Sequence, residues 1–159
     1  MRTNIVVVVV LAASQLGLAA QSRPLAPPPD ISGTWVLVDP KDAKHPQLGV
    51  QFTVSQTATT VTVKSGTDRE PETYKIDDSE QKSESRSATG TPIRHFTRSR
   101  FVGAALVITM RTDAGAIGHW EDVLVVSHDA PGHLTVVSIN AAKAMYNGMH
   151  TRVHKYERK

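Results

Sequence analysis

The chain has 159 residues, with 18 Lys and Arg against 15 Asp and Glu, a formal charge of +3 and no cysteine. The length fits one domain, and the absence of cysteine excludes disulfides and a lipid anchor through an N-terminal cysteine. Positive and negative residues are interleaved, which argues against a nucleic-acid surface, and no apolar run after residue 20 is long enough to span a membrane as a helix.

Residues 1–20 have the layout of a secretory signal peptide: Arg2, then the apolar run Ile5 to Ala13, then Ala19-Ala20. Cleavage is expected after Ala19 or Ala20, giving an exported protein, periplasmic or extracellular. Residues 21–30 hold Pro24, Pro27, Pro28 and Pro29, and proline favours an extended tether. The domain is read as 31–159. It is large enough to bury roughly two-thirds of its unfolded surface without a staple.

Ile31 to Val38 alternates in the manner of a first strand, and 39–49 reads as a long loop. Val50, Phe52 and Val54 mark a second strand. Val61 and Val63 mark a third, and Tyr74 and Ile76 a fourth. Residues 77–90 are rich in Ser, Glu and Lys. An edge hairpin or a loop would fit, and the composition favours mobility. Pro92 to Phe101 resumes as a strand with Arg94, Phe96, Arg98 and Arg100 on one face. The clearest stretch is 101–140, three strands in succession. Leu106, Ile108 and Met110 share one face, then Trp120, Leu124 and Val126, then Leu134 to Ile139 returns. Asn140 is a candidate cap for a short helix ending at Gly148, before a last strand from Met149 to Glu157. Eight to ten short antiparallel strands joined by consecutive hairpins predict an all-β, up-and-down barrel, which leaves no strand edge bare.

Gly33-Thr34-Trp35, within Asp30-Ile31-Ser32-Gly33-Thr34-Trp35, resembles the G-x-W at the first strand of lipocalins and related calycin barrels. So does the order of strand, short helix and final strand at 134–157. The resemblance is to small secreted bacterial lipocalin-like proteins. It implies that Trp35 closes one end of the barrel against an arginine of the last strand, with Arg152 the best placed and Arg158 second. The lipocalin T-D-Y motif and the usual cysteines are absent.

The seven histidines raise the question of metal. His150 and His154 share a strand face about 13 Å apart, too far for one ion, and His119, His128 and His133 flank turns. No metal site or cofactor is assigned. Ser127, His128 and Asp129 alternate between faces and so cannot form a triad. Glu70 and Glu72 read as a solvated rim. The arginines at 94, 98 and 100 are read as an outer face opposite acidic 77–84; the alternatives are an anion or nucleic-acid surface and an inward Arg98 meeting a ligand carboxylate. No catalytic constellation emerges, and the expected function is non-catalytic binding of a small apolar or amphipathic ligand in the barrel mouth. The expected lining is Trp35, Phe52, Tyr74, Leu106, Ile108, Trp120, Leu134 and Arg152. The alternative is a structural or protein-interaction module with a filled core.

Overall fold

The computed structural model describes residues 27–40, 46–66, 70–141 and 149–159. The expected signal peptide, most of the tether and the body of the expected short helix lie outside these residues. Ten strands follow in order: β1 Gly33–Leu37, β2 Gln51–Gln56, β3 Thr60–Ser65, β4 Glu72–Lys75 and β5 Gln81–Arg86; then β6 Pro92–Val102, β7 Ala105–Asp113, β8 His119–Ala130, β9 His133–Ala141 and β10 His150–Arg158. Asn140, expected as a helix cap, belongs to β9.

All pairings are antiparallel, and the sheet order is β4-β3-β2-β1-β10-β9-β8-β7-β6-β5. Two meanders are therefore joined where β1 meets β10. The sheet curls into a nearly closed, up-and-down barrel, because β4 also meets the second half of β6. There Ser99 Oγ donates to Lys75 O at 2.6 Å, Asp78 N donates to Ser99 O at 3.0 Å, and Asp77 bridges to Arg100.

The expected strands form because their apolar residues recur with period two and so gather on one face. Segment 77–90 departs from its expected mobility, since Gln81 to Arg86 pairs in full with Pro92 to Thr97. Almost nothing in it is buried. Its ladder bonds, an Arg94–Glu84 ion pair at 3.7 Å and side-chain bonds from Gln81 to the β4 backbone hold it. Side-chain composition reports core burial, and this strand needs none.

The interior can be read level by level from the register. At the base, Trp35 pairs with Arg158 and Phe52, and Leu37 with Tyr156. Above this, Val136, Val126 and Leu106 line up across β9, β8 and β7, and Leu124 and Ile108 follow one level higher. The apolar residues among these and Tyr156, with Ile31, Val54, Val61, Val63, Tyr74 and Leu134, form one packed core. Phe52 and Tyr156 meet edge to face at 4.8 Å between ring centres. Leu48 drops into this core from the loop before β2, which is anchored where Tyr156 Oη donates to Gly49 O at 3.0 Å.

Trp35 plugs the base. It is 1% exposed, and its indole Nε1 donates to Ile31 O at 3.0 Å. The arginine over its ring is Arg158, 5.7 Å from the ring centre, whose guanidinium also donates to Ser32 O. The lipocalin resemblance ranks Arg152 first for this place. The β1–β10 register decides between them, because it sets Arg158 opposite Trp35 and leaves Arg152 three levels away, opposite Ser138.

The arginines of β6 point outward. Arg98 and Arg111 reach Glu80 at 3.6 and 3.9 Å, Arg100 reaches Asp78 at 2.7 Å, and Arg111 stacks on Phe96 at 4.4 Å. Arg98 therefore does not meet a ligand inside the barrel. The inward residues of β6 are His95, Thr97, Ser99 and Phe101, which pair with inward Thr112, Met110, Ile108 and Leu106.

Candidate functional site

The interior changes character towards the end opposite Trp35. One level above Leu124 and Ile108, the register aligns His150, Asn140, Asp122, Met110, Thr97 and Gln81 across β10 to β5. Five of these six are polar. Period two puts them on the same faces as the core residues below, so the sheet itself aims this ring inward. The next level out holds Trp120, Thr112, His95 and Ser83.

Space remains at this ring. A cavity of about 310 Å³ is lined by Met110, Leu124, Asp122, Ser138, Asn140, His150 and Arg152, with Gln47 from the loop before β2. A second, of about 490 Å³, lies towards β4 to β7 and has Glu72, Tyr74, His95 and Thr112 on its wall. Met110, Asp122 and Gln47 border both.

The groups at the mouth are positioned by specific bonds. Asn140 Nδ2 donates to Asp122 Oδ1 across the β8–β9 pair. Burial pushes the Asp122 carboxyl above the usual range, while the bond from Asn140 opposes that shift. Tyr74 Oη donates to Glu72 Oε2, and burial first, then that carboxylate, raises the phenol. The imidazole of His95 spans β5 and β7, meeting Ser85 Oγ at 2.9 Å and Thr112 Oγ1 at 3.3 Å. His154 lies two residues below Arg152 on the inward face of β10, with Nδ1 buried and without a hydrogen-bond partner. Burial, then the Arg152 charge, pushes its pKa down. No ion pair to Arg152 forms among the described residues.

The expected lining residues separate into three groups. Trp35, Phe52, Leu106, Ile108 and Leu134 are fully buried in the packed half. Tyr74 and Arg152 border the cavities. Trp120 stands beyond the ring, half-buried opposite Thr112. The polar ring was missed, although Asp122 sits between Trp120 and Leu124 in the alternation and Asn140 falls two places beyond Ser138.

Elsewhere, His150 and His154 do share the inward face of β10. Among the described residues, no three His, Cys, Asp or Glu side chains cluster as a metal site, and no helix is long and apolar enough to cross a membrane. No protein-family model matches this sequence, and no curated protein matches it either.

Proposed function

We propose that this protein is an exported, non-catalytic carrier that holds a small amphipathic molecule in the barrel mouth. The apolar part of the ligand rests on Met110 and Leu124, and its polar part lies among Asp122, Ser138, Asn140 and Arg152. The observation that supports this reading is the hollow at the mouth, about 310 Å³ with an apolar floor and a polar ring. That volume is at the small end of ligand sites, which run to about 1,000 Å³. The base is filled by Trp35 and Tyr156, so the ligand would occupy only the upper half. Asp122 accepts a bond from the Asn140 amide, an arrangement suited to holding polar groups.

Native mass spectrometry of the protein from its producing cell is the test. A co-purified small molecule is expected on the unaltered chain. It should be lost from Met110→Trp, which fills the floor shared by both cavities, and weakened about tenfold or more by Arg152→Gln. A ligand retained in full by Met110→Trp, or a chain that takes up no small molecule from a metabolite extract, would sink the proposal.

A further inference from the structure

The outer surface of the barrel is divided in two. Over β2 to β4 it is polar: Gln51, Thr53 and Ser55 face out, then Thr62 and Lys64, then Thr73 and Lys75. Over β7 to β10 it is not. The register aligns Val107, Val125, Val137 and Val153 in one outward row, and Val123 with Ile139 in the row beside it. Val153 is 58% exposed. An antiparallel sheet facing water normally alternates apolar inside with polar outside. Here β8 carries Val123-Leu124-Val125-Val126, apolar on both faces; the outward Val107, Val123, Val125, Val137 and Ile139 are half-buried beside exposed Val153, and a contiguous outward apolar patch of this kind marks a contact surface.

We propose that this valine face is the interface of a two-fold symmetric dimer of this chain. Charge supports a second copy as the occupant. A face that docks on itself must not bring like charges together. The cations along its β6–β7 border already carry acids: Arg98 and Arg111 share Glu80, and Arg100 holds Asp78. On the β10 side Lys155 is followed two positions later by outward Glu157. Among the described residues, the border of this face thus carries charge of both signs, which gives a charged partner little to select. Size fits as well. Four strands about 4.8 Å apart and four outward rows about 6.8 Å apart project to roughly 500 Å². The accessible area of such a studded face is larger, and approaches the roughly 800 Å² per partner of a stable interface. Thr109, Thr151, Ser127 and Thr135 border the valines, giving an apolar centre with a polar rim. A lipid belt would need apolar residues all round, which the polar outside of β2 to β4 denies.

Sedimentation across a concentration series is the test, with circular dichroism and thermal unfolding as the fold check. The unaltered protein should show a monomer–dimer equilibrium. Val125→Thr, nearly isosteric and safe for folding, should raise the dimer dissociation constant severalfold, and Val125→Lys by about tenfold or more. Thr62→Lys, on the opposite wall, should leave it unchanged. Because the chain has no cysteine, a spin label on Thr109→Cys reports the contact independently, and its pair distance should be shorter than that for Thr62→Cys. A monomer at every concentration would overturn the proposal. So would a dimer indifferent to a folded Val125→Lys, a shorter distance at position 62, or a monomer whose valine face binds only phosphatidylcholine or phosphatidylglycerol vesicles. Ligand uptake is read separately, so neither proposal depends on the other.

Discussion

A methyl group on Gly33 would lie 2.7 Å from Arg158 Nε, and the residue sits at φ +137°. Both facts demand glycine, since other residues avoid that backbone region. The glycine of the G-x-W motif thus clears the path by which Arg158 reaches Trp35. Gly33→Ala should destabilise the barrel by roughly 1–3 kcal/mol, read as a lower urea midpoint. At the mouth, the raised pKa of Asp122 means that the folded state binds its proton more tightly than the unfolded one. Its contribution therefore falls as pH rises from the ordinary carboxylate value through the folded one. Asp122→Asn still accepts from Asn140, so it should raise the melting temperature at pH 7 and leave it nearly unchanged at pH 3. His154 works in the opposite sense. Its lowered pKa makes the folded state prefer the neutral ring, so stability is complete above about pH 6.5 and falls as the medium becomes more acidic. His154→Leu should flatten that acid limb in melts between pH 7 and 5. Trp35 was legible as the plug because G-x-W announces it. Its arginine partner was not, since only the register distinguishes Arg158 from Arg152.

At the scale of elements, alternation served well where one face is buried and failed where neither is. Strands β7 to β9 were legible because Leu106, Ile108, Leu124, Val126, Leu134 and Val136 mark an inner face. Strand β5 has no such residues, so its pairing with β6 left no trace in the hydrophobic pattern. The seam between β4 and β6 was equally hidden, because it depends on single bonds. Ser99, 1% exposed, donates the shortest of them, to Lys75 O. Ser99→Ala leaves that carbonyl without its donor and should cost about 1–2 kcal/mol. Amides 75–78 should then exchange with deuterium faster than those of β8 and β9, as read by mass spectrometry.

At the scale of the molecule, the barrel and its hairpin order could be read from strand spacing, whereas the division of its interior could not. The polar ring is assembled from β5 to β10, each contributing one inward residue, and no local window contains it. Export belongs to this scale too. A mature chain starting at Ala20 or Gln21, found by intact mass in the extracytoplasmic fraction, is the expected outcome, and retention of Met1 there would count against it. The joining of the two meanders also bears on how the protein comes into being. Ser32 and Arg158, which clasp across β1 and β10, are 126 positions apart. At synthesis rates of roughly 5–20 residues per second, β1 waits about 6–25 s for its neighbour. Through that interval a newly made chain leaves β1, and then β9 as well, without the neighbour that separates them, so the nascent protein is most open to mispairing before β10 appears.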